Sequence, residues 1–316
     1  MIGASEKTNR SQVAASAGPP RVEGPRPQIG VWELVRCVGN GRWSRVYQAR
    51  PAGSMSRAPA DYALKLMHCE GDEPPPPLLE RELEVASEVS HPHLVSVLAA
   101  QLDRPQFLVT PWVAGASLRQ LIMQGVLPSL PRALWFIRQA AEALAALHAA
   151  GWIHGDVKPE NILVDHRSHV TLIDLGLAQR IRVAADAGPH VFLGSPDYAA
   201  PELFSTRHGV TPAIDAYSLG VTLFELLTGE RPNRTMVPVA AGNEAPPLSI
   251  SDPRRLMPQI PQRVARLVRR LLANEPLRRP LPGDDLLSLL REAEIESFSL
   301  RQPLVRIDTA AKDLED

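Results

Sequence analysis

The sequence predicts an α+β protein of two lobes. The first third reads as short strands broken by turns, whereas beyond Gly115 the apolar spacing becomes helical. Size agrees: 316 residues suffice for one large two-lobed unit or two ordinary domains with a sizeable core.

Taken in order, residues 1–28 are rich in Ser, Ala, Gly and Pro, with Ile2, Val13 and Val22 as the larger aliphatics. Such a segment buries too little to offset its ordering entropy, so a disordered tail is expected. Residues 31–38 suit a strand that ends at the turn Gly39-Asn40-Gly41. Further strands are expected at 45–50 and 62–67, with a loop at 51–61. Four prolines at 74–77 exclude a helix interior there and precede a helix over about 78–89. Residues 94–98 and 106–110 read as strands.

Ser117 can cap a helix through Met123. Over 131–150, Leu134, Ile137, Ala141, Leu144 and Leu147 recur at helical spacing until Gly151 stops them. Short strands follow at 162–164 and 170–173, then helices at about 211–227, 261–273 and 283–294. A proline-containing surface loop is expected at 236–250, and a second tail at 297–316.

Composition narrows the function. Apolar residues are 44% and charged residues 22%, as in ordinary globular proteins. Lys+Arg 34 against Asp+Glu 35 leaves a net charge of −1, which argues against a dominant nucleic-acid surface. Cys37 and Cys69 lack metal-ligand spacing, cannot build a disulfide framework, and read as small hydrophobes in a reducing compartment. The most apolar stretch, 133–153, carries Arg138, Glu142 and His148, so no membrane span is expected. The N-terminus lacks the apolar run of a signal peptide.

Several groups can carry chemistry. Gly39-Asn40-Gly41 could fold its backbone over a phosphate, although a plain hairpin would look the same. Lys65 lies in an apolar strand and needs an anionic partner if buried. Glu82 stands seventeen residues on, among Glu80, Glu84 and Glu88, which could equally form a solvated face. His154-Gly155-Asp156-Val157-Lys158-Pro159-Glu160-Asn161 sets an acid, a cation and a carboxamide within six residues. Ile173-Asp174-Leu175-Gly176 adds an acid at a strand end. Asn161 and Asp174 offer hard oxygen ligands suited to Mg²⁺, Asp156 can accept a hydroxyl proton, and Lys158 can neutralise a transferring phosphoryl group.

With these motifs the sequence resembles the eukaryotic-like (bacterial-type) Ser/Thr protein kinase family, from about Val31 to Leu290. The resemblance implies a bilobal protein-kinase-like fold, a small antiparallel β lobe with one main helix above a larger, mainly helical lobe. It divides 29–296 into an N-lobe 29–111, a hinge 112–115 and a C-lobe 116–296. It implies ATP and Mg²⁺, with Mn²⁺ as a substitute, and protein Ser/Thr hydroxyls as acceptors. Gly39, Asn40, Gly41 and Val46 would line the phosphate loop, and Ala63, Thr110 and Val113 the adenine pocket. Lys65 would hold the α/β-phosphates and pair with Glu82, which precedes His91 by nine residues. Asp156 would be the catalytic acid, Lys158 its companion, and Asn161 and Asp174 the metal ligands. Ser195 replaces the family's threonine beside them, which favours Ser/Thr acceptors. Glu202 and Arg279 would pair, Asp215 would anchor the large lobe, and His154 would be structural. Trp112 reads as either a linker cover or a nucleotide contact.

Three departures stand out. Ser44 replaces the third loop glycine, and Leu175 replaces the phenylalanine of Asp-Phe-Gly. Gly155 replaces an arginine that binds a phosphate on the activation loop in many members. Between Asp174 and Glu202 the only hydroxyl residues are Ser195 and Tyr198. Activity without loop phosphorylation is therefore expected. A pseudokinase would usually lack one of these groups. A small-molecule phosphotransferase would usually lack Ala200-Pro201-Glu202. Many bacterial relatives carry a membrane helix and sensor domain, and with neither in view a free-standing cytoplasmic enzyme is expected. Oligomeric state has no sequence signal here.

Overall fold

The computed structural model describes residues 27–55, 58–68, 77–182, 193–204, 209–232 and 252–299. Residues 1–26 of the expected N-terminal tail, Pro74 to Pro76, Cys69, the 236–250 loop and everything after Ser299 lie outside those residues, whereas Gln28, expected in the tail, opens the first strand.

Six antiparallel strands form the small lobe: β1 (Gln28–Ile29), β2 (Trp32–Asn40), β3 (Ser44–Pro51), β4 (Tyr62–Met67), β5 (Ala99–Gln101) and β6 (Phe107–Pro111), ordered β1-β2-β3-β4-β6-β5. Alternation sends Leu34, Ala49, Leu64, Phe107 and Val109 to one buried cluster. One helix, α1 (Leu78–Glu88), joins this lobe and buries Leu79, Glu82 and Val85.

Residues 112–114 lead to β7 (Gly115–Ser117) and the helical lobe. There α2 (Leu118–Met123) starts at a capping box: Gln120 N–H donates to Ser117 Oγ, and Ser117 N–H donates to Gln120 Oε1. The long α3 (Leu130–Ala149) follows, and all five of its expected apolar positions are fully buried. It ends before Gly151, whose φ of +81 an ordinary side chain would strain. β8 (Trp152–Ile153), β9 (Ile162–Asp165), β10 (Val170–Leu172) and β11 (Gln179–Arg180) form two small sheets, β10-β9-β7 and β11-β8. α4 (Ala213–Thr228) is buried on every side through Leu227, and α5 (Gln262–Leu271) and α6 (Asp284–Ser299) pack around it and α3.

Three expectations need correction. Residues 94–98 are not a strand: Val95 N–H bonds to Leu172 in the large lobe, and Leu98 N–H bonds to Val109 in the small one. A segment whose hydrogen bonds pass from one sheet to another cannot form a ladder, and pairing resumes at β5. Cys37 is exposed rather than packed, because β-bulges at 34–36 and 37–39 break the two-residue alternation of β2. The last helix continues to Ser299, past the expected boundary at 296. Among the described residues no helix is long and apolar enough to cross a membrane.

Candidate active site

The strand register aligns half of the site before any side chain is considered. Gly39 pairs with Val46, Val46 with Lys65, and Ala63 with Thr110. Antiparallel partners share a face, as do residues two apart, so Val46, Ala63, Lys65 and Thr110 lie on one side of the sheet. Leu64 points to the opposite side, into the small-lobe core.

Lys65 meets two carboxylates. Its Nζ donates to Glu82 Oε2 at 2.8 Å and to Asp174 Oδ1 at 2.7 Å. Burial alone would depress the lysine, but Asp174 and then Glu82 outweigh it and hold its pKa above the ordinary range. Burial likewise pushes Asp174 upward, yet the Lys65 ammonium prevails and keeps it below the usual aspartate range. For Glu82 burial wins over Lys65, and its pKa is raised. Two of the ammonium's three protons are engaged, which leaves one for a further anion.

Asp174 adopts a left-handed backbone, φ +67, ahead of a 3₁₀ turn at Leu175–Leu177. Gly176 lets that turn approach α1: an added Cβ would sit 3.2 Å from Leu78 Cβ. The Asp174 side chain keeps 43% exposure, and only its Oδ1 faces Lys65.

The opposite wall is the segment after β8. Asp156 Oδ2 accepts from Lys158 Nζ at 2.5 Å and from Asn161 Nδ2 at 3.2 Å, while its Oδ1 accepts from Ser195 N–H at 3.1 Å. Lys158 also donates to Ser195 Oγ at 2.7 Å. Asn161 Nδ2 donates to Asp156 C=O as well, at 2.9 Å, and among the described residues its Oδ1 takes part in no hydrogen bond. Asp174 Oδ2 and Asn161 Oδ1 are therefore two uncommitted hard oxygens. That set fits Mg²⁺, which takes one or two protein ligands and completes its shell with phosphate oxygens and water. No cluster of three His, Cys, Asp or Glu that could hold a metal occurs among the described residues.

Buried Asp215 holds this wall in place. Its Oδ2 accepts from His154 N–H and His148 Nε2–H, both at 2.8 Å, and its Oδ1 accepts from Gly155 N–H at 3.0 Å. Burial opposes its charge, but these donors keep its pKa below the usual range. His154 is fully buried: Nδ1 accepts the Asp156 amide at 3.3 Å, which leaves Nε2–H facing the Ile173 carbonyl at 3.1 Å. It braces the segment after β10 that carries Asp174. Arg279 makes a bidentate pair with Glu202 at 2.5 and 2.8 Å. Gly155 has φ +78, and an added Cβ would lie 2.8 Å from Leu177 O.

The glycine turn is tighter than a loop open along its whole length. Gly41 N–H donates to Ser44 C=O at 2.8 Å, so that amide is committed to the turn itself. At the linker, Trp112 N–H bonds to Asp61 C=O, and Arg36 lies 5.7 Å from the centre of its ring. Among the described residues, Val113 N–H and C=O make no hydrogen bond.

Sequence reasoning missed one group beside Lys158 and Ser195. Arg119 bridges Glu160 and Glu225, each at 2.7 Å, and also contacts the Tyr198 hydroxyl. Tyr198 donates to Glu225 Oε2 at 2.5 Å. These residues, with Met123, line a cavity of about 840 Å³. Arg119 belongs to no motif, and its partners lie 41 and 106 residues away, so no local pattern marks it.

Residues 32–285 match the protein kinase domain family. The chain is 33% identical over 270 residues to the serine/threonine-protein kinase PknD of Mycobacterium tuberculosis, covering 82% of this chain and 39% of that protein. It is 29% identical over 283 residues to a probable serine/threonine-protein kinase, pknA2, of Bifidobacterium longum, covering 86% and 37%. It is 28% identical over 272 residues to the serine/threonine-protein kinase PrkC of Bacillus subtilis, covering 85% and 40%. The chain thus matches about two fifths of the length of these relatives. With a lysine bound to two carboxylates, an acid joined to a lysine and an asparagine, and a family match from 32 to 285, the chain belongs to the bacterial-type Ser/Thr protein kinase family.

Proposed function

We propose that the chain transfers the γ-phosphoryl group of ATP to serine or threonine hydroxyls of protein substrates. What supports this is one hydrogen-bonded group of Lys65, Glu82 and Asp174 and a second of Asp156, Lys158 and Asn161, joined where the Ile173 N–H beside Asp174 bonds to the Asn161 carbonyl at 2.9 Å. Phosphoryl transfer passes through a loose, highly anionic transition state, so positioning and charge neutralisation do most of the work.

Each residue then has a definite task. Lys65, oriented by Glu82, holds the α/β-phosphates with its remaining proton. Asn161 and Asp174 would hold Mg²⁺, which would supply charge to neutralise the phosphates. Asp156 orients the acceptor hydroxyl and takes its proton. Lys158 lies between Asp156 and the Ser195 hydroxyl, where it can stabilise the oxygens of the group in flight. Gly39, Asn40, Gly41 and Val46 cover the phosphates, Ala63 and Thr110 bound the adenine pocket, and Val113 offers its free N–H and C=O to the base. Ser195, whose amide and hydroxyl both touch the catalytic pair, favours Ser/Thr acceptors. The enzyme works in the cytoplasm and needs no phosphate on its activation segment, since Gly155 supplies no cation to bind one.

The test is transfer of label from γ-labelled ATP to a generic protein acceptor, with phosphoamino-acid identification. The wild-type chain is expected to label Ser or Thr, and Asp156→Asn to lose about two to three orders of magnitude in turnover. Unchanged turnover in Asp156→Asn, or label on tyrosine alone, contradicts the reading.

A further inference from the structure

The far end of α1 is fastened to the large lobe by residues outside the catalytic set. Arg180 and Trp152 are cross-strand partners in the β8–β11 ladder. The Arg180 guanidinium lies 3.9 Å from the centre of the Trp152 ring and donates to Glu88 Oε1 at 2.5 Å. The Trp152 indole N–H donates to Glu88 Oε2 at 2.9 Å. Both oxygens of Glu88 are therefore held, one by each member of the pair. Nearer the start of α1, Arg81 donates to Ala178 C=O at 3.1 Å, and Glu84 lies 3.5 Å from Arg180. Arg81, Glu84 and Glu88 follow three- and four-residue steps along one face of the helix.

The rest of the helix packs against the 3₁₀ turn at Leu175–Leu177 but carries few polar restraints of its own. No side chain caps its N-terminus at Pro77, its last turn holds no basic residue, and its buried residues are Leu79, Glu82 and Val85. Yet Glu82 must reach Lys65 within 2.8 Å, and a shift of about 1 Å in a positioning group can cost 10²-fold in rate. Trp152 is fully buried, so the fastening stands on a fixed part of the large lobe.

Building on the kinase reading, we propose that Glu88, Trp152 and Arg180 form a clasp that positions α1, and through it Glu82 on Lys65, with no phosphate on the activation segment. The three are positioning residues rather than catalytic ones. Arg180 and Glu88 are partly open to solvent, at 46% and 37%, so the clasp is screened by salt.

The full chain, treated with phosphatase, tests this through kcat and KM in Arg180→Ala, Glu88→Gln and the swap Glu88→Arg/Arg180→Glu. Each single variant is expected to lose about tenfold in kcat with an unchanged KM for the protein acceptor, and the swap, which restores the ion pair but not the bonds to Trp152, to recover part of that loss. Raising salt from about 50 to about 500 mM should slow wild type and leave Arg180→Ala unaffected. Amide exchange across α1 reads the clasp without turnover, so it is separable from the kinase reading: Arg180→Ala should speed exchange in α1 and not in α4. Wild-type kcat in Arg180→Ala, a swap no better than the single variants, or unchanged α1 exchange overturns the proposal. So does a loss of kcat matched by equal loss of the whole fold.

Discussion

Asp215 and Glu82 are both carboxylates removed from water, at 0% and 3% exposure, yet they are held in opposite ways. Asp215 accepts two backbone amides and an imidazole N–H, all within the large lobe, and its pKa sits below the ordinary range despite burial. Glu82 has one ammonium shared with Asp174 and one backbone donor, at Leu175, and burial leaves its pKa raised. The large-lobe acid is a structural anchor whose donors compensate its desolvation. The small-lobe acid is under-compensated, and its charge is maintained for what it does to Lys65. Burial alone therefore does not tell an anchor from a working group; the count and source of donors does.

That contrast can be broken most sharply at the anchor. Asp215→Asn places an amide against three donors and should destabilise the fold by about 3 kcal/mol, read by chemical denaturation. The sign with pH follows from the lowered pKa: the stabilisation is full above the unfolded aspartate value of about 3.9 and fades as pH falls through the lower folded value. The gap between wild type and Asp215→Asn should hold between pH 7 and 5 and narrow toward pH 3. A gap that widened on acidification would contradict the anchor.

Glu82→Gln sharpens the other side. Because the Glu82 charge is disfavoured in the fold, stability should change by less than about 1 kcal/mol, while turnover falls about tenfold or more. Equal losses of stability in Glu82→Gln and Asp215→Asn would erase the distinction.

How much of this was legible in the sequence depends on how far apart the partners lie. The wall carrying Asp156, Lys158 and Asn161 sits in one eight-residue segment whose residue types declare their chemistry. Lys65 and Glu82 were ambiguous from composition, and only the resemblance singled Glu82 out from Glu80, Glu84 and Glu88. The long periodic α3 was plain, whereas β7, β8 and β11 hold two or three residues each and exist because distant strands pair with them. Residues 94–98 carry strand-like residues, but their backbone bonds divide between two lobes. Cys37 was misread because bulges, invisible to an alternation count, turn it outward. Trp152 and Arg180 contact Glu88 from 64 and 92 residues away, so nothing local marks the clasp.

The central claim is that Asp174, held ionised by Lys65, and Asn161 leave oxygens free for a metal that accompanies the nucleotide. Calorimetric titration of ATP with and without Mg²⁺, into wild type and Asp174→Ala, tests it most directly. Wild type should bind ATP at least about tenfold tighter with Mg²⁺ present, and Asp174→Ala should lose most of that gain. An Asp174→Ala protein that kept the full magnesium dependence would show that the metal is held elsewhere, and the site as described here would be wrong.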